Sequence, residues 1–215
     1  MNNDTEPANQ QEELDRAFLE DGFNLAAQYA GDGSKEHLLG AVSLLYENLD
    51  SFIGLFLESA SAGGQPAACH KGCSWCCHQA VFAQEYEIRY LKNWMFANLP
   101  AEKLMEIQKR AVGKSKTTHV LAPEKRLLHK EACPLLENGA CLAYEARPVA
   151  CRIYLSMNVG SCENEFRNPG DISRFPALFE LPLRAGRKLN EGFSFYLNQM
   201  DVGTKELPLE EWLKR

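Results

Sequence analysis

The sequence predicts a mostly α protein: a single helical domain with a loop-rich cysteine metal-binding unit and little or no sheet. Three observations predict it. Apolar residues recur at helical spacing over several long stretches. The 215 residues contain no strand–helix alternation, no GxGxxG and no phosphate loop. All eight cysteines fall in two blocks, 69–77 and 133–162.

Residues 10–30 carry Leu14, Phe18, Phe23, Leu25 and Ala26 among acids, an amphipathic helix. Gly31-Asp32-Gly33-Ser34 reads as a turn, with Ser34 suited to cap the next helix. Residues 35–60 form a long apolar helix. Glu47, Asn48 and Asp50 interrupt its most apolar stretch, so it is expected in the core and not across a membrane. SAGGQPAA at 61–68 breaks the chain.

Residues 84–99 read as a helix with Tyr86, Tyr90 and Trp94 on one side. That aromatic side is expected to pack on the 35–60 helix. Glu85 and Glu87 suit the helix dipole at its start. Pro100 ends this helix and opens the next, over 101–112. Residues 113–132 are basic and loosely patterned, with VLAPEKRLL open to short strand, turn or loop. The tail, 171–215, holds a helix at 184–200 and a short one near 208–214. The organisation expected is N-terminal helices over 1–64, a cysteine-cluster unit over 65–165 and a helical tail over 166–215, all in one globular domain.

Composition narrows the function classes. The hydrophobic fraction is 45% and the net charge is −6. An acidic chain lacks the basic face of a nucleic-acid binder, and it offers nothing to an anionic membrane. Neither is expected as a partner. The start, MNNDTEPANQQEE, lacks a basic region followed by an apolar run, so no signal peptide is visible and a cytoplasmic location is expected. Thiols stay reduced there, which favours metal ligation over disulfides.

The first block reads CHKGCSWCCH, placing Cys69, Cys73, Cys76 and Cys77 within ten residues. On one straight helix these thiols would spread over about 12 Å. Thiolates on one zinc stand roughly 4 Å apart. The chain must therefore bend, and Gly72 is the place for it. Cys76 and Cys77 are neighbours whose side chains point differently, which suits two centres or a polynuclear cluster. Four buried thiols packing as small hydrophobes is the plain alternative, but His70, Lys71, Ser74 and His78 make the surroundings polar. His70 and His78 are candidates for ligand or supporting roles.

The second block supplies Cys133, Cys141, Cys151 and Cys162. Asn138-Gly139 makes a tight turn that lets Cys133 and Cys141 converge. Tyr144 to Pro148 leads into a short helix carrying Cys151. Arg147 and Arg152 are placed to offset thiolate charge. Eight thiols suit two tetrahedral zinc sites, or one [4Fe–4S] cluster and a further site.

The pattern CxxxCxxCC, followed by CPLL-x-x-G-x-C-x-x-Y-x-x-RP-x-x-CR-x-Y, resembles the YkgJ-type cysteine-cluster proteins over about residues 65–160. The matching positions are Cys69, Cys73, Cys76, Cys77, Cys133, Cys141 and Cys151, with Gly139, Tyr144, Arg147, Pro148, Arg152 and Tyr154 as companions; Cys162 lies at the edge. The resemblance implies a bacterial zinc- or iron-chelating unit. A similar unit occurs in flagellin lysine N-methylases, which implies an iron–sulfur cluster with S-adenosylmethionine as the enzyme reading.

Three functions follow as expectations. The first is a metal-binding protein with an iron–sulfur cluster or zinc, structural or serving a protein partner. The second is an iron–sulfur-dependent protein-modifying enzyme linked to S-adenosylmethionine. Cys69, Cys73 and Cys76 also share the spacing of radical S-adenosylmethionine enzymes, but those need a β/α barrel, and Cys77 departs from their pattern. The third is a metal carrier or thiol sensor, with Lys71 and the histidines lowering thiol pKa. Adjacent cysteines and a spread-out first block favour iron–sulfur over zinc.

Overall fold

The computed structural model describes residues 5–70, 72–171, 173 and 175–215. The protein is mostly α with little sheet, as the sequence predicts. Helices α1 (Thr5–Tyr29) and α2 (Lys35–Ala62) come first, followed by a 3-10 turn at Trp75–His78. Strand β1 (Phe82–Gln84), α3 (Glu85–Asn98), α4 (Ala101–His119) and α5 (Pro123–Leu128) come next. Then come β2 (Leu136–Glu137), β3 (Ala140–Cys141), α6 (Val149–Arg152) and α7 (Val159–Arg167). Helix α8 (Glu180–Gln199), β4 (Glu206–Pro208) and α9 (Leu209–Leu213) complete the order.

Two apolar cores flank the cysteine segments. The first joins α1, α2 and α8 through Ala26, Leu45, Leu49 and Phe193, and takes in Val149 and Ile153 on either side of Cys151. Helices α1 and α8 cross with almost no gap: a Cβ at Gly22 would fall 1.9 Å from Leu189 O, and one at Gly192 1.9 Å from Leu19 O. The second joins α3, α4 and α9 through Leu91, Ile107 and Trp212, with Cys133 and Cys141 packed against it. Antiparallel β1–β4 brings residues 82–84 to 206–208. Antiparallel β2–β3 places Leu136 opposite Cys141.

Helix α2 is long and apolar enough to cross a membrane. Its Leu38, Val42, Leu45, Tyr46 and Leu49 are nevertheless buried in the first core.

Several local expectations are corrected. Ser34 precedes α2, but its hydroxyl makes no cap; Asp32 accepts the Ser34 N–H instead, at 2.9 Å. The helix expected to stop at 112 runs to His119. Its polar Lys114, Ser115 and Thr118 are buried because partners meet them: Glu131 O, Glu211 and Glu210 respectively. Part of the unassigned VLAPEKRLL stretch is helix α5, opened by Pro123. Helix α8 begins at Glu180, four residues earlier than expected, because Pro182 is tolerated in a first turn. The aromatic side of α3 divides: Tyr90 meets Tyr46 of α2, Tyr86 meets Phe193 of α8, and Trp94 joins the second core.

Candidate metal centre

The bend expected at Gly72 is present, with φ at +93°. The chain then winds into the 3-10 turn, where three residues complete a turn and neighbouring side chains diverge by about 120°. Cys76 and Cys77 therefore face different ways from adjacent positions. Lys71 lies outside the described residues.

The second block folds back onto this turn. Cys133 N–H donates to Cys77 O at 2.7 Å, and Glu131 N–H to His78 O at 3.0 Å. The Asn138–Gly139 turn, both residues at positive φ, returns the chain so that β3 carries Cys141. Helix α6 presents Cys151, and α7 presents Cys162. Trp75 and His78 both pack on Phe166, at 5.2 and 5.0 Å between ring centres, which braces α7 against the 3-10 turn.

All eight thiols are free. Seven of them, Cys162 excepted, line a cavity of about 1230 Å³. The cavity continues past the thiols to Arg187, Asn190 and Ser194 of α8. Among the described residues, no three His, Cys, Asp or Glu side chains converge on one point as ligands of a single ion would. The thiols are thus gathered around a space. The donor set still fits zinc or iron, since both take soft thiolate ligands.

Electrostatics divide the thiols. Burial pushes Cys133 up to about 11 and raises Cys151 well above the ordinary thiol range. The coupling between the neighbouring thiols Cys76 and Cys77 acts in opposite directions on the pair, lowering Cys76 to about 7 and raising Cys77. Arg147 adds positive charge near Cys76, Cys141 and Cys151 while stacking on the Tyr144 ring at 3.8 Å.

Arg152 serves differently from the charge-offsetting role expected of it. It is 1% exposed and pairs with Asp50. It stacks on the Tyr46 ring at 4.0 Å and donates to Arg147 O and Glu145 O. It fixes the loop that leads into α6.

Of the histidines, His70 is exposed at the cavity rim, with Nδ1 3.1 Å from Ala68 O. His78 has Nδ1 3.0 Å from Ser74 O and packs on Phe166.

Two residues escaped the sequence reading. Glu87, expected as a first-turn acid, is 2% exposed. It accepts hydrogen bonds from Gln84 N–H, Val149 N–H and Tyr46 OH. The Gln84-x-x-Glu87 spacing of a capping box could have flagged it. Ser156 donates its backbone N–H to Cys69 Sγ at 3.2 Å, while its hydroxyl donates to Asn158 O and Ala177 O. Nothing in the sequence signals that role.

Residues 68–171, just under half of the chain, match the CxxCxxCC family, described as a "putative zinc- or iron-chelating domain". This segment is similar to that family. The YkgJ-type resemblance is consistent with that family. No curated protein and no solved structure matches the chain. The matched range, 68–171, contains all eight cysteines, Cys162 included. The helices before and after it supply most of the first core and the β4–α9 part of the second.

Proposed function

We propose that this chain is a metal-binding protein whose clustered cysteines hold an iron–sulfur cluster, with zinc as the alternative. The ligands are drawn from Cys69, Cys73, Cys76, Cys77, Cys133, Cys141, Cys151 and Cys162. The observation that carries this reading is the ring of seven free thiols around one cavity. Thiols disposed around a space suit a polynuclear cluster better than a single zinc, whose ligands meet within roughly 4 Å. The clustered free thiols support a cytoplasmic setting.

The test is metal and acid-labile sulfide content, with a visible spectrum, on protein purified without oxygen. Brown protein with stoichiometric sulfide supports the cluster. Colourless protein with about two zinc per chain replaces it with a structural or partner-binding zinc protein. Cys73→Ser and Cys141→Ser are expected to lose metal and stability; full metal content in both would refute the ligand assignment.

A second reading is favoured by the extent of the cavity. At about 1230 Å³ it is larger than the roughly 300–1,000 Å³ of a typical small-ligand site, and its lining extends beyond the thiols. An iron–sulfur-dependent modifying enzyme would use the part beside Arg187, Asn190 and Ser194 for a co-substrate such as S-adenosylmethionine. Calorimetric titration of the metal-loaded protein with S-adenosylmethionine tests it, and no heat of binding removes this reading. The thiol-sensor reading finds support in the lowered pKa of Cys76.

A further inference from the structure

Helix α8 turns one row of side chains to the cavity: Leu183, Arg187, Asn190, Ser194 and Asn198. Spacings of three and four residues keep them on one face. The row lies outside both cysteine blocks.

Its two asparagines are oriented from behind. Tyr86 OH donates to Asn190 Oδ1 at 2.8 Å. Thr204 OH donates to Asn198 Oδ1. In each amide the oxygen is thus occupied, while Nδ2 has no acceptor among the described residues. Both side chains therefore have N–H donors to offer the cavity they line.

The ends of this wall carry unpaired charges of opposite sign. Among the basic residues of α8, Arg184 pairs with Asp15 and Glu180, and Lys188 pairs with Glu191. Arg187 has no acidic partner among the described residues. Past the other end, Glu206 follows Thr204 by two residues and also lines the cavity. It accepts from Gln84 Nε2 at 3.4 Å and has no basic partner among the described residues.

The spacing suits an extended chain. Arg187 and Asn198 stand about 16 Å apart along the helix axis, the length of roughly five extended residues. Asn190 and Asn198 stand about 12 Å apart, close to the roughly 13 Å between extended residues four positions apart. Leu57, Leu155 and Leu183 give the cavity apolar surface for side chains. Glu145, Glu191 and Glu206 in the same lining oppose a polyanion such as a nucleoside diphosphate. A peptide backbone carries no net charge.

We infer that this wall binds an extended polypeptide segment of about five residues, with an acidic side chain on Arg187, backbone carbonyls on the Asn190 and Asn198 amides, and a basic side chain on Glu206. The inference goes beyond the metal-binding reading and does not depend on it, since the row contains no thiol. It occupies the wall that the second reading gives to a co-substrate, and the test separates the two.

The experiment uses the full chain, purified without oxygen, and fluorescein-labelled pools of five-residue peptides with blocked ends. One pool has glutamate first and lysine last, the other the reverse, with mixed residues between. Fluorescence anisotropy follows binding, and saturation by one pool is expected. Replacing its glutamate by glutamine should weaken binding about tenfold. Arg187→Ala should weaken the glutamate pool by the same factor and leave the glutamine pool unchanged. Asn190→Asp and Asn198→Asp keep the oxygens that Tyr86 and Thr204 use but remove the donors. Each should weaken binding about fivefold with an unchanged melting temperature. If a variant melts early, the comparison of the glutamate and glutamine pools decides, because it alters no residue of the protein. Equal affinity for those pools, or no saturation by any pool up to about 0.5 mM protein, overturns the inference. Binding of S-adenosylmethionine without binding of any pool also overturns it and gives the wall to the co-substrate. Metal and sulfide content of the same samples report separately on the metal-binding reading.

Discussion

Glu87 Oε1 accepts the Val149 N–H at 2.7 Å, so a buried carboxylate of α3 holds the first residue of α6, two positions before Cys151. The same carboxyl accepts from Gln84 N–H at 2.9 Å and from Tyr46 OH at 3.3 Å. One side chain thereby joins α2, α3 and the helix that presents a thiol.

Removing that carboxyl leaves buried donors without partners, so Glu87→Ala is expected to cost about 2 kcal/mol. Urea unfolding measures it, and an unchanged midpoint would contradict the role.

Burial is the main cause that raises the Glu87 carboxyl above its ordinary 4.5. The folded chain therefore keeps a proton that the unfolded chain releases as pH climbs past 4.5. The stability tied to that proton is complete below 4.5 and is lost as pH rises through the folded pKa. Glu87→Gln cannot titrate, so its melting temperature should fall less than that of wild type between about pH 5 and pH 8. Equal slopes would show that Glu87 does not supply the effect.

Arg152→Ala strands Asp50 and releases the Glu145 and Arg147 carbonyls. Asp50 is 46% exposed, so water recovers part of the loss. The expected cost is about 3 kcal/mol, near the lower end for a broken buried pair. Metal content should fall with it, because the loop leading to Cys151 loosens. Full stability with full metal content would count against this.

At the crossing of α1 and α8, Gly192→Ala places a methyl on the Leu19 carbonyl. Backbone cannot move aside as a flexible side chain can. The expected loss is at least about 3 kcal/mol, seen in chemical denaturation. A variant as stable as wild type would mean that the two helices can separate freely.

The long helices were legible because their apolar residues repeat at helical spacing over many turns. The cysteine-rich segment that matches the family was legible because cysteines are rare and here fall in two runs. The extension of α4 was hidden because Lys114, Ser115 and Thr118 look like surface residues. Glu131 lies 17 residues past Lys114, and Glu211 and Glu210 lie 96 and 92 residues past Ser115 and Thr118. Ser156 was hidden for a similar reason: it lies 87 residues from Cys69. The roles of Arg147 and Arg152 could not be told apart from sequence, since burial alone separates them.

The raised thiols set a pH dependence on metal uptake. Cys133, pushed to about 11 by burial, and Cys151, raised further from the ordinary range, both hold protons at neutral pH without metal. Ligands bind as thiolates, so uptake must expel those protons and strengthen as pH rises. Titrating the metal-free protein with zinc in buffers of different ionisation enthalpy should give different heats. Identical heats would mean that no proton leaves.

The β1–β4 pairing has a consequence for synthesis. Strand β1 begins four residues after His78, yet its partner is residues 206–208. While the chain is being made, the first four thiols and β1 emerge long before the strand that pairs with β1 exists. They wait beside an unpaired edge until almost the entire sequence has left the ribosome. The β1–β4 pair therefore closes only once nearly the whole chain has been made.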